Sequence, residues 1–161
     1  MDVALVPADE ADKPVLANLI QLYQHDFSEI RDDLPLTRHG TFAYPYLDHY
    51  FTEPAREAYF VEAAGELAGF ALARADVDGE GSWNVAEFFV ARRHRRRGVA
   101  RAAARLLFAR HPGEWTLTFD HANAAAAAFW RSATASVAEG PVIEVDRSEP
   151  VPSTILRFRV A

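Results

Sequence analysis

The stretch Glu87-Phe88-Phe89-Val90-Ala91-Arg92-Arg93-His94-Arg95-Arg96-Arg97-Gly98-Val99-Ala100 decides how the rest of the chain is read. Its first part is an apolar strand and its second a basic, glycine-marked turn that opens a helix. A helix start leaves its first N–H groups without partners and sets the positive end of the helix dipole behind them, so the junction is a seat for an anion such as phosphate. Gly98 and Ala100 matter for what they lack, because a bulky side chain at either position would hold a phosphate off those amides. Arg95, Arg96 and Arg97 add positive charge around the backbone seat. Taken alone, the pattern also suits a solvated basic turn, so its surroundings must decide.

A chain of 161 residues, 50% apolar and 25% charged, has the length and composition of one globular domain, and residues 1–161 are read as such. The five Arg and one His at 92–97 stand against a net charge of −6. A focused basic patch on an acidic protein argues against wholesale nucleic-acid binding and for a small anionic ligand, while the acidic surface favours a cationic acceptor. The absence of cysteine excludes disulfides, thiolate nucleophiles and cysteine-based metal sites. No basic, apolar leader opens the chain and no stretch approaches the length of a membrane span, so the expected address is the cytoplasm, with no membrane partner. His25, His39, His49, His94, His111 and His121 show no metal-ligand spacing, and no metal is expected. No Gly-x-Ser-x-Gly elbow supports a serine hydrolase.

In chain order, an apolar run at 3–6 is a first strand. Val15, Leu16, Leu19, Ile20, Leu22 and Tyr23 then recur at helical spacing, with Asp9 or Asp12 available as a cap and Pro14 tolerable in the first turn. The end of this helix gathers Tyr23, His25, Asp26 and Glu29, which suits an acceptor-binding wall or a plain exposed helix end. Residues 31–44 read as a loop and 45–51 as a short second helix. Alternation at 59–63 and 67–74, split by a tight turn, predicts a hairpin, and 76–82 a further turn whose acids lack the spacing of a calcium loop. A strand at 83–90, a helix at 99–110 stopped by His111-Pro112-Gly113, a strand at 115–119, a helix at 123–131 and strands at 142–145 and 154–160 complete the chain.

Arg95-x-x-Gly98-x-Ala100, lying between a strand and a helix, resembles the acetyl-CoA pyrophosphate signature of the GNAT superfamily of acyl-CoA N-acyltransferases. Asn123-x-x-Ala126-x-x-Phe129-Trp130 resembles the superfamily's Asn-x-x-Ala-x-x-Phe-Tyr, and the element order matches over most of the chain. The resemblance implies an α/β (by some schemes α+β) GNAT fold, a mixed central sheet of about six to seven strands flanked by about four helices. It implies acetyl-CoA as co-substrate, with pyrophosphate on the backbone of Arg96, Arg97, Gly98, Val99, Ala100 and Arg101. Pantetheine is expected against the strand edge at Phe88, Phe89 and Val90 and near Asn123, with Phe129 and Trp130 at the thiol end. Homodimers are common among members, which leaves the oligomeric state open.

The implied reaction is direct transfer of an acetyl group, in a ternary complex, to a primary amine of a small molecule or peptide. Glu87 resembles the acid that precedes Phe-Phe-Val in polyamine-acetylating members, and would take the ammonium proton; the alternative is an ion pair with a neighbouring Arg. Trp130 departs from the family's Tyr, and an indole N–H does not protonate a thiolate. Water, His121, Tyr23 or Tyr44 remain for that role. Two other classes stay open: a CoA-binding regulatory domain without turnover, for which Trp130 speaks, and a nucleic-acid module on residues 92–97, which the net charge disfavours.

Overall fold

Three alternating segments build the middle of the sheet: β2 (Arg56–Ala63), β3 (Glu66–Ala75) and β4 (Trp83–Val90) pair antiparallel in succession. The β2–β3 turn has two residues at positive φ, Ala64 at 51° and Gly65 at 78°, the primed turn that matches the twist of a hairpin. This computed structural model describes residues 1–77 and 79–161; Asp78, part of the expected turn at 76–82, lies outside them. Elsewhere in that turn Asp76 accepts the Gly81 N–H at 2.6 Å.

β1 (Val3–Pro7) adds antiparallel to β2, and β5 (Gly113–Asp120) follows β4 in parallel through the crossover helix α3 (Val99–Ala109). β7 (Ser153–Val160) and β6 (Ile143–Arg147) finish the far edge, giving one seven-stranded sheet in the order β1-β2-β3-β4-β5-β7-β6. α3 and α4 (Ala124–Val137) cover one face over a core that includes Val61, Phe108, Trp115, Leu117 and Phe158. α1 (Lys13–Phe27) and the single turn α2 (His49–Thr52) cover the other, over Leu16, Ile20, Phe60, Phe70 and Leu72. The fold is the mixed α/β sheet the sequence predicts.

Three details correct the sequence reading. Neither Asp9 nor Asp12 caps with its side chain: Asp9 precedes a 3-10 turn at Glu10–Asp12 and Asp12 precedes α1, with no side-chain cap bond at either. The second helix is one turn at His49–Thr52, because Pro45 and the residues after it form turns rather than helix. α4 runs past Arg131 to Val137, since Ala133 and Thr134 are buried and the Thr134 hydroxyl returns to Trp130 O at 2.7 Å.

Candidate active site

β4 and β5 are joined by parallel pairing only at Trp83–Trp115 and Asn84–Thr116. Asn84 fixes that last rung. Its amide donates to Thr116 O at 3.2 Å and to Thr116 Oγ1 at 3.1 Å, while its Oδ1 accepts from Arg74 Nε at 2.9 Å. Beyond it the strands part around a cleft of about 480 Å³ lined by β4, the end of α1, and the Asn123, Phe129 and Trp130 side of α4.

The free edge of β4 can be read residue by residue. Ala91 N–H reaches Ala68 O on β3 at 2.7 Å, and polar groups of successive strand residues point to opposite sides. Phe89 therefore turns its backbone to β3, whereas Phe88 and Val90 turn theirs to the cleft. Arg95 Nε takes the Val90 carbonyl at 2.7 Å, so the Phe88 groups and the Val90 N–H stay open to a ligand.

Glu87 owes its direction to a bulge. The β3–β4 register slips between Leu72 and Ala73, leaving Ala86 unmatched, so Glu87 faces α1 beside Phe89 rather than sharing the face of Val85. Tyr23 donates its hydroxyl to Glu87 Oε1 at 3.3 Å. Burial pushes the Glu87 carboxyl up to about 7, outweighing the tyrosines Tyr23 and Tyr44 and the charges of Arg74 and Arg31, which favour its ionised form. Tyr23 in turn is held well above the usual phenol range, by burial first and by the Glu87 charge second. No Arg forms an ion pair with Glu87 among the described residues; Arg74 binds Asn84, and Arg31 binds Asp33 and Asp120.

The basic turn exposes its backbone amides. Arg96 and Gly98 have φ of 62° and 77°, and Gly98 precedes the first residue of α3. The N–H groups of residues 96–101 find no protein acceptor among the described residues, and the first amide of α3 to do so is Ala102, to Gly98 O at 3.1 Å. A side chain at Gly98 would meet no atom within 4 Å, so the requirement there is the left-handed backbone and the open approach above it. Arg96, Arg97 and Arg101 are exposed; Val99 is buried under the turn and Ala100 lines the cleft.

Asn123 caps α4, its side-chain oxygen accepting the Ala126 N–H at 3.1 Å. Trp130 is buried edge-on against Phe88, with ring centroids 5.1 Å apart, and Phe129 meets Trp130 at 4.8 Å, so the three rings form an apolar wall. Of the four residues at the end of α1, Tyr23, Asp26 and Glu29 line the cleft; His25 does not. His121 is drawn to Thr154 Oγ1 at 2.8 Å, away from the cleft. Sequence reasoning passed over Asp120 and Arg31. Asp120 lines the cleft and Arg31 donates to its carboxylate at 3.4 Å, and nothing local in the sequence links the two across 89 positions.

A sequence profile of the acetyltransferase (GNAT) family matches residues 16–133. The chain belongs to the GNAT acetyltransferase family. Solved structures of the same fold include an acetyltransferase from Thermus thermophilus, 18% identical, covering 99% of this chain and 98% of that one with a TM-score of 0.72. A spermidine/spermine N-acetyltransferase from Vibrio cholerae is 15% identical over 98% of this chain and 93% of that one, with a TM-score of 0.61. A ribosomal-protein alanine N-acetyltransferase from Escherichia coli is 14% identical over 99% and 95%, with a TM-score of 0.59. No curated protein is detectably similar in sequence. As in other GNAT enzymes, the chemistry must be read from the cleft. Among the described residues no three His, Asp or Glu side chains converge as a metal site, and no helix is long and apolar enough to cross a membrane.

Proposed function

We propose that this GNAT protein is an acetyl-CoA-dependent N-acetyltransferase acting by direct attack in a ternary complex. The observation that carries the reading is a half-buried carboxylate, Glu87, lining the cleft where β4 and β5 separate. The cleft fits the co-substrate on three counts: unpartnered amides at 96–101 for pyrophosphate, the Phe88 and Val90 backbone edge for the pantetheine amides, and the Phe88–Phe129–Trp130 wall for its apolar end.

Acetyl-CoA supplies an activated thioester; the protein's part is to position it and manage two protons. Glu87 takes a proton from the acceptor ammonium, and a group with its carboxyl near 7 is matched to that task at neutral pH. The free amine attacks the thioester carbonyl, the new N–C bond forms, the C–S bond breaks, and the second proton on the nitrogen passes to water. Tyr23, bonded to Glu87 and lining the same cleft, gives its hydroxyl proton to the leaving thiolate and recovers one from Glu87. Because the proton comes from Glu87 as Tyr23 gives up its own, Tyr23 serves as a relay and never has to ionise, which its raised phenol would resist. Glu29 adds negative charge at the cleft mouth, in keeping with a cationic acceptor, whereas Asp26 lines the same cleft with its charge taken up by Arg92 and Arg95, and His25 is exposed on the same helix end.

Fold neighbours named for spermidine and for a protein's alanine define the panel to try. Incubation with acetyl-CoA and a set of polyamines, small primary amines and peptides with free amino termini should yield an acetylated product with matching release of free thiol. Saturable acetyl-CoA binding with no product from any member would favour a regulatory CoA-binding domain instead.

A further inference from the structure

Asp26 sits in the last turn of α1, where the unpaired carbonyls make the helix end negative and an acid is disfavoured. It is held there by two guanidinium groups: Arg92 Nη2 donates to one carboxylate oxygen and Arg95 Nη2 to the other, each at 2.6 Å. Burial pushes the Asp26 carboxyl up, but the hydrogen bonds and charges of Arg95 and Arg92 outweigh it and leave it below its ordinary value. An isolated exposed pair would contribute little. Here one carboxylate, with only 25% of its side chain exposed, satisfies two charged donors. All three side chains line the cleft, and Arg92 and Arg95 lie on the chain segment that leads to the unpartnered amides of residues 96–101.

We propose that the Asp26 carboxylate is an internal stand-in for the pyrophosphate of acetyl-CoA, holding Arg92 and Arg95 in the free protein and exchanged for phosphate oxygens when the co-substrate binds. The inference rests on the acetyl-CoA reading above. A carboxylate and a phosphate accept the same guanidinium donors, so the exchange is like for like. Arg95 keeps its Nε on Val90 O, which leaves its Nη2 to change partner without moving the stem. Arg92, with 74% of its side chain exposed, is free to swing. Tyr23 lies three residues before Asp26 on the same helix face, with its hydroxyl on Glu87. The exchange at Asp26 therefore takes place one helical turn from the residue bonded to the base.

The test is calorimetric titration of acetyl-CoA into the wild-type protein, Asp26→Asn, Asp26→Ala and Gly98→Val. With the competing carboxylate gone, both Asp26 variants should bind acetyl-CoA about tenfold more tightly, a gain of about 1.4 kcal/mol. The gain should persist with 3′-dephospho-CoA and vanish when Arg92→Ala is added. Equal or weaker binding by a folded Asp26 variant would overturn the proposal, as would a gain confined to CoA carrying its 3′-phosphate. Loss of the fold in both variants, read by thermal melting, would overturn it too, since a stand-in is dispensable to the fold. Gly98→Val separates the two claims: if it binds as the wild type does, the pyrophosphate seat is misplaced, whereas weakened binding there with no gain in Asp26→Ala sinks the stand-in alone.

Discussion

Glu87 is a carboxylate whose environment disfavours its charge, and that makes its role separable from a structural one. In the folded protein it keeps its proton up to about 7, while in the unfolded chain it releases it near the ordinary value of 4.5. Between those values the folded state binds more protons, so stability falls as pH rises through the window and is lowest above 7. The upper bound of this loss is about 3 kcal/mol. Glu87→Gln has no charge to bury, so its melting temperature should exceed that of the wild type at pH 8 and match it near pH 4. Its turnover should fall by roughly 10²–10⁴-fold with acetyl-CoA affinity little changed, and the acidic limb of the wild-type kcat/KM profile, inflecting near 7, should disappear. Unchanged turnover across pH would remove Glu87 from the chemistry. The sequence singles out Glu87 because it heads the apolar run into the glycine-marked turn. Its two tyrosines were not paired with it there, since Tyr23 lies 64 positions away and the bulge at Ala86 that turns Glu87 toward it depends on the β3 register.

At the scale of elements, the order of strands and helices follows from periodicity, because each strand or helix announces its own spacing. What periodicity does not announce is how closely two strands approach. Gly69 lies on β3 opposite Val90, and a Cβ there would stand 1.9 Å from the Phe89 carbonyl oxygen, a backbone atom that cannot swing aside. The glycine thus sets the spacing of the strand whose other edge faces the cleft. Gly69→Ala should destabilise the protein by about 3 kcal/mol, a drop in Tm on the order of 10 °C, and weaken acetyl-CoA binding even where the fold survives. A melting curve and an acetyl-CoA titration of the same preparation check both, and a wild-type Tm would show that β3 and β4 relax more easily than this geometry allows. The end of α4 escaped sequence reading for a similar reason: burial of Ala133 and Thr134, rather than propensity, carries the helix to Val137.

Over the whole molecule, a net charge of −6 surrounds one basic turn, and much of that turn is already neutralised. Arg92 and Arg95 are paired with Asp26, and Arg93 with Glu66. Labelled duplex or single-stranded nucleic acid should bind weakly at low salt, lose affinity steeply as salt rises, and be displaced by CoA. Tight binding that persists at saturating CoA would contradict this. In the proposed reading the two faces of the sheet divide the work, the turn before α3 taking the anion and the α1–α2 side holding Glu87 and Tyr23.

That division depends on acetyl-CoA lying along the gap between β4 and β5, and amide hydrogen exchange with and without saturating acetyl-CoA tests it most directly. The N–H groups of residues 96–101, together with those of Phe88 and Val90, have no protein acceptor on the cleft side among the described residues and should exchange rapidly in the free protein. The account predicts that acetyl-CoA slows exchange at these amides together. Saturating acetyl-CoA that leaves them unprotected, or protects another surface instead, would contradict it.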